Sequence, residues 1–154
     1  MNGKFEFGVD FLILCRALSS LDESTELELL SDAATRFLLL LWDFSSEEVD
    51  STTDLYRTRF QNGELDDPLQ ASIRLMDQLS SNRNLQGQLV SHLSAIGGLD
   101  YSYSKGEQEF INSICADFGF STDDYNEFTT KGKNLAIGIR FIAEYKTILG
   151  ANKK

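Results

Sequence analysis

The stretch "AIGGLDYSYSKGEQEFI" (residues 95–111) carries the clearest local signal in the chain. Ser104 and Glu107 have the spacing of a capping box, in which each side chain bonds the backbone amide of the other residue at the start of a helix. Two adjacent glycines weaken and end the apolar segment before it. The stretch therefore predicts a helix over about 84–99, a short polar connector and a second helix over about 104–118.

Apolar residues recur at helical spacing along most of the chain, and no run of alternating β-branched residues predicts a strand. Asp67 is a good N-cap, with Pro68 at the first helical position, and Ser45 or Ser46 can cap another helix. Ser121 can cap a short helix before a separate, strongly apolar C-terminal one. We predict an all-α, compact single-domain bundle of seven to eight helices over residues 1–154. The remaining helices are expected at about 5–20, 26–43 (with a restart at Ser31-Asp32 as an alternative), 46–61 and 68–79.

The apolar faces of these helices predict the core. His92 shares its helix face with apolar residues, which favours a core histidine over a catalytic base. Cys15 and Cys115 each lie among apolar neighbours and are expected to be buried thiols. The fourth and last helices are predicted to bury these residues: Leu69, Ile73, Met76 and Leu79; Leu135, Ile137, Ile139, Phe141, Ile142, Tyr145 and Ile148. Of these, Phe141, Tyr145 and Ile148 can equally form an interface, so the oligomeric state stays open.

Charge and hydropathy exclude several classes of function. The net charge of −10 argues against broad nucleic-acid binding, because neutralisation of phosphates supplies most of that affinity. The longest wholly apolar run, 37–42, is far shorter than the ~20 residues that span a bilayer. The segment 11–15 is a poor signal peptide, so we expect a cytoplasmic protein without a transmembrane segment.

The charge is distributed unevenly along the chain. Residues 130–154 carry a net charge of +5, which leaves −15 on residues 1–129. Solvated helix faces explain this distribution, and so does a dipolar surface that selects the orientation of a partner. A protein partner with a basic surface would suit the acidic part.

The motifs of common enzymes are missing from this sequence. It contains no nucleophile elbow, phosphate-binding loop or dinucleotide-binding glycine pattern, and the two cysteines form no CxxC pair. A calcium loop that starts at Asp100 would need glycine at Lys105 and glutamate at Ile111, so it fails as an EF-hand. We therefore expect a protein that is not an enzyme, while a looser carboxylate site stays open.

The opening stretch resembles the helix-hairpin motif of the TerB-like (tellurite resistance) family. In that motif an apolar helix ends in small residues, an aspartate follows, and a glutamate seven positions later begins the next helix; Asp100 and Glu107 match these two positions. Tyr101 departs from the glycine that is usual there. The match is motif-specific over about residues 93–125. A first copy of the hairpin falls at 17–30, or alternatively at 41–50.

The resemblance implies a TerB-like all-α fold without catalysis and an association with tellurite and other stresses. It also implies that hairpin carboxylates bind a divalent cation or contact a partner protein, and Ca²⁺, Mn²⁺ and Mg²⁺ suit carboxylate oxygens. The matching residues are Asp100 and Glu107, followed by Asp22 and Glu26 of the first hairpin. The alternative is a metal-free helical adaptor or scaffold in which the same carboxylates only cap helices.

Overall fold

The computed structural model describes residues 2–19, 25–99 and 104–152, with side chains at 3–19, 32–99 and 104–142. These residues form seven α-helices and no strand, which confirms the predicted all-α class. The helices are α1 (Asn2–Ser19), α2 (Thr25–Leu41), α3 (Ser46–Gln61), α4 (Pro68–Gln78), α5 (Arg83–Gly97), α6 (Lys105–Asp117) and α7 (Thr122–Asn152).

Side-chain caps determine where several of these helices begin. Ser45 and Glu48 form a complete capping box at α3, with both amide–oxygen distances near the usual hydrogen-bond length, 2.9 and 3.1 Å. The Asp67 carboxylate accepts the amide of Gln70 at the start of α4, with proline at the first position. The N-caps predicted for α3 and α4 are therefore confirmed, as is Ser104 at α6.

The core lies around α1 and α5. Phe11, Leu14 and Leu18 of α1 are fully buried, and this helix packs against α2, α3, α4 and α5. Helix α5 is buried over almost its whole length and packs against α1, α6 and α7. The buried residues of α5 include small and polar ones, such as Gly87, Ser91 and Ser94, so neighbouring helices cover it on several sides. The two central helices therefore hold the outer ones in place.

Helix α7 is longer than predicted. A single helix of 31 residues runs from Thr122 to Asn152, where the sequence had suggested a short helix followed by a separate one. Ser121 still caps its start, accepting the amide of Asp124 and donating its own amide to the Asp124 carboxylate. Gly132 and Gly138 both lie inside this helix, and Gly132 packs closely against α5. Helix α2 is likewise unbroken, so its alternative restart does not occur.

The predicted core face of α4 is partly wrong. Leu69 is 65% exposed and Ile73 is 47% exposed. Of the other two predicted residues, Leu79 at the C-cap is buried and Met76 is half-buried. The buried face of α4 itself carries Ala71, Ser72 and Leu75. A bidentate ion pair from Arg74 to the buried Asp10 of α1, at 2.7 and 3.0 Å, fixes this rotation of the helix.

The predicted core face of α7 is wrong for Ile137 and Ile142, whereas Phe141, for which an interface is the alternative to the core, is also exposed. Ile137, Phe141 and Ile142 are 56%, 69% and 45% exposed, although Ile139 is buried and Leu135 is half-buried. Helix α5 contacts the small-residue face of α7, which carries Thr129, Gly132 and Ala136, so the larger residues on the opposite face stay in solvent. Tyr145 and Ile148 lie outside the residues whose side chains the structure describes.

Candidate functional site

Glu107 is the one predicted metal ligand whose side chain is described. It lies at the third position of α6 and is 2% exposed. Its Oε1 accepts the amide of Ser104 at 3.0 Å, and the Ser104 hydroxyl accepts the amide of Glu107 at 3.2 Å. The predicted capping box is therefore confirmed, and one carboxylate oxygen is engaged in it.

The other predicted ligands cannot be compared with Glu107. Asp100 and Asp22 lie outside the described residues, as does Tyr101, and the side chain of Glu26 in α2 is also not described. Among the described residues, no group of three or more His, Cys, Asp or Glu side chains is arranged to hold a metal ion. The four-carboxylate metal site therefore stays a prediction.

His92 and the cysteines occupy the core, as predicted. His92 is 4% exposed and lies edge-to-face with Trp42 and Phe11, at ring-centroid distances of 5.3 and 6.2 Å. Burial lowers the pKa of His92 to about 4, so the imidazole is neutral at pH 7. Burial also raises the pKa of the Cys15 thiol, and it raises the pKa of Cys115 to about 11. Both thiols stay protonated and have little nucleophilic character.

A groove of about 330 Å³ between α1, α2 and α3 was not predicted from the sequence. Its apolar and aromatic walls come from Leu12, Tyr56 and Phe60, and Phe60 is 66% exposed. The other lining residues are polar or charged: Arg16, Asp32, Thr35, Arg36, Thr53 and Arg57. An apolar concavity with a few convergent polar groups is the usual form of a small-molecule site.

The three arginines of the groove come from three different helices. Arg16 of α1 pairs with Asp32 at 3.1 Å, Arg36 of α2 pairs with Asp50, and Arg57 of α3 has a longer contact with Asp54, at 3.5 Å. The carboxylate partners are 62%, 62% and 76% exposed. Ion pairs this exposed contribute roughly 0–1 kcal/mol.

The hydrogen-bond donors of the groove are limited in kind. The hydroxyls of Thr35 and Thr53 donate to carbonyls of their own helices, at 2.9 and 2.8 Å. Toward a ligand in the groove, these hydroxyls can therefore only accept hydrogen bonds. Tyr56 accepts a hydrogen bond from Arg16 and keeps its own proton, because burial raises the pKa of this phenol. Among the described lining residues, the guanidinium groups and the Tyr56 hydroxyl are therefore the donors.

No local motif could have revealed this groove, because its arginines are 20 and 21 positions apart in the sequence. One weak signal was available. Residues 1–129 contain eight basic side chains, and three of them line this one groove. Only the packing of α1, α2 and α3 brings these three arginines together.

Two exposed stripes combine apolar and charged residues. The α7 stripe consists of Lys133, Ile137 and Phe141, four residues apart on one face of the helix, with Ile142 beside it. The α4 stripe consists of Leu69, Ile73 and Asp77 at the same spacing. Glu64 and Asp67, both exposed, precede the α4 stripe. The α7 stripe is thus apolar and basic, and the α4 stripe is apolar and acidic.

Two further findings bear on the class of protein. In the part of the chain that the structure describes, no helix has the length and apolarity needed to cross a membrane. Comparison with protein-family models, curated proteins and solved structures finds no match to this chain.

Proposed function

We propose that this protein is a non-enzymatic helical scaffold whose copies associate head to tail. The α7 stripe of one copy docks on the α4 stripe of the next copy. The observation that supports this proposal is the complementarity of the two stripes in both apolar spacing and charge. The second copy is then the predicted partner with a basic surface.

The register of such a contact follows from the spacing of the residues. When α4 and α7 lie antiparallel, Ile73 faces Ile137, Leu69 faces Phe141, and the charged ends Asp77 and Lys133 meet. Exposed apolar side chains would be covered and opposite charges would be joined in the same arrangement. Both terms favour association, the first by removing apolar area from water and the second by charge attraction at the rim.

Charge also favours this contact over a pairing of two α7 helices. Residues 130–154 carry +5, so two copies of this segment repel each other, whereas residues 1–129 carry −15. A contact between two different surfaces is heterologous and leaves one stripe free at each end of the assembly. We therefore expect chains or rings whose mass grows with protein concentration, and a weaker association at high salt.

The proposal is tested by sedimentation velocity on two single variants and their mixture. Phe141→Ser disables the α7 stripe, Ile73→Ser disables the α4 stripe, and each should weaken self-association about tenfold or more. The mixture should form a 1:1 pair, because each variant keeps the stripe that the other lacks. Phe60→Ser is the matched control, since Phe60 is as exposed as Phe141 but lies in neither stripe.

The outcomes separate the alternatives. If Ile73→Ser self-associates as the wild type does while Phe141→Ser is monomeric, α7 pairs with α7 and the head-to-tail arrangement is wrong. A wild-type protein that stays monomeric at about 0.5 mM and low salt contradicts self-association itself, and it leaves a different protein as the occupant of the α7 stripe.

Divalent-cation binding at the acidic hairpin is the second candidate, supported by the Asp100/Glu107 motif. The Glu107 cap weighs against it, since one oxygen of the carboxylate is already bonded to Ser104. Calorimetric titration of the wild type with Ca²⁺, Mn²⁺ and Mg²⁺, repeated on the Asp100→Asn/Glu107→Gln variant, distinguishes the two. A heat of binding that is measured for the wild type and is absent for the variant supports the metal site. No heat, with a stability loss of roughly 0.5–2 kcal/mol in the variant, supports the cap.

A cytoplasmic, stress-associated role is proposed on the TerB-like resemblance alone. Deletion of the gene should then increase sensitivity to tellurite, and wild-type protein should restore growth. If the Phe141→Ser protein also restores growth, the stress role does not require head-to-tail association. An unchanged sensitivity of the deletion strain would contradict the stress role.

A further inference from the structure

We propose that the groove between α1, α2 and α3 binds a small organic anion. The ligand class is a carboxylate or phosphate monoester carried on a single aromatic or apolar ring. The juxtaposition that supports this assignment is three guanidinium groups around a concavity whose walls are Leu12, Tyr56 and Phe60. The proposal is independent of the scaffold function, because these residues belong to α1, α2 and α3 and the stripes belong to α4 and α7.

The electrostatics of the groove select an anion. Among the described lining residues are three arginines and Asp32, while Asp50 and Asp54, which contact Arg36 and Arg57, are not part of the lining. Each arginine side chain is between 42% and 63% exposed, so the guanidinium groups are accessible from solvent. The planar guanidinium fork matches carboxylate and phosphate oxygens better than an ammonium group does.

The carboxylates that now contact the arginines do not block such a ligand. Arg36 and Arg57 each contact one oxygen of a partner through one guanidinium nitrogen, and Arg57 does so at 3.5 Å. Exposed pairs of this kind are weak. A ligand oxygen held in the more enclosed groove can therefore be added to these contacts or take the place of one of them.

The size and walls of the groove select the body of the ligand. A volume of about 330 Å³ is at the lower end of the range for small-molecule sites, so one ring with an acidic group fits better than a nucleotide. Phe60 presents an exposed ring on which a planar ligand can stack, and Tyr56 supplies a hydroxyl donor beside Arg16. A compact anion without an apolar body would leave these walls uncovered.

The test uses four probes on the full chain: phenyl phosphate, benzoate, inorganic phosphate and the neutral benzyl alcohol. Isothermal titration and ligand-observed NMR should give a Kd of roughly 0.1–1 mM for at least one of the two ring-bearing anions. Inorganic phosphate and benzyl alcohol should each bind at least about tenfold more weakly, because phosphate lacks the ring and benzyl alcohol lacks the negative charge. The comparison of phenyl phosphate with benzoate then identifies the acidic group.

Variants locate the binding in the groove. Arg36→Gln and Arg57→Gln should each weaken the preferred anion about fivefold to tenfold. Arg59→Gln is the matched control, because Arg59 is also on α3 but forms its ion pair with Glu6, at 2.8 Å. Phe60→Ser should weaken the ring-bearing anions and leave inorganic phosphate unchanged. All four substitutions are at partly exposed residues, and thermal melting checks that each variant is folded.

Three results would overturn the assignment. The first is a Kd above about 10 mM for both ring-bearing anions. The second is benzyl alcohol or inorganic phosphate binding as tightly as the preferred anion. The third is equal affinity of the Arg36→Gln, Arg57→Gln and Arg59→Gln proteins, which would place the bound anion elsewhere on the surface.

Discussion

The crossing of α5 and α7 at Gly132 predicts that two glycines on one helix respond oppositely to alanine. A Cβ added at Gly132 would lie 2.3 Å from the carbonyl oxygen of Ser91, 2.5 Å from the Cβ of Ser94 and 3.1 Å from the amide nitrogen of Ala95. Two of these neighbours are backbone atoms, which no change of rotamer can move. At Gly138, six residues later, an added Cβ meets nothing within 4 Å.

The magnitudes follow from two opposing effects. Replacing glycine by alanine inside a helix contributes about 1 kcal/mol through helix propensity. Overpacking costs about 1–3 kcal/mol, and a clash with backbone lies at the upper end, because the helices must separate by about 1 Å. Gly132→Ala should therefore lower the free energy of unfolding by about 2 kcal/mol, whereas Gly138→Ala should raise it by up to about 1 kcal/mol.

Thermal and urea denaturation, followed by circular dichroism, measure both variants. For a chain of this length, 1 kcal/mol shifts Tm by about 2–4 °C, so Tm should fall by about 4–8 °C for Gly132→Ala and rise by a few degrees for Gly138→Ala. Gly138→Ala controls for propensity, because the helix and the substitution are the same. A Gly132→Ala protein as stable as the wild type would refute the close α5–α7 contact.

Two other predictions concern buried ionisable groups. The pKa of His92 is about 4 in the folded chain and about 6.5 when unfolded, so the unfolded chain binds more protons between these values. The free energy of unfolding, measured by urea titration, should then fall by about 2 kcal/mol from pH 7 to 5. If the His92→Phe protein loses as much stability over this pH range as the wild type, His92 is not the cause. Arg74→Met leaves the Asp10 carboxylate, 1% exposed, without its ion pair and should cost on the order of 3 kcal/mol. Arg59→Met breaks a more exposed pair with Glu6 and should cost less than about 1 kcal/mol; equal Tm losses would contradict the distinction.

Helix starts were predictable because capping is local. The side chains of Ser45, Asp67 and Ser104 bond amides three residues ahead, so the whole interaction lies within four consecutive residues. The burial of His92 was equally visible, since it lies at helical spacing with Leu85, Leu89 and Ile96. The sequence allows Glu107 to be a metal ligand or part of a helix cap, and its hydrogen bonds with Ser104 support the cap.

The outward faces of α4 and α7 were not predictable from periodicity. Leu69 and Ile73 have the spacing of a core stripe, as do Ile137 and Phe141. The helices nevertheless pack through Ala71 and Leu75 on α4, and through small residues on α7. Periodicity identifies an apolar face but does not say which of two faces a neighbouring helix will cover.

The sequence by itself determined the all-α class, the helix starts and the charge asymmetry, because propensity, capping and net charge depend on nearby residues or on composition. The tertiary structure decided which apolar residues stay exposed, and it brought Arg16, Arg36 and Arg57 around one groove. It also gave Gly132 and Gly138 different roles on the same helix. These features depend on how helices rotate and approach one another, and that is set by close packing between residues far apart in the chain.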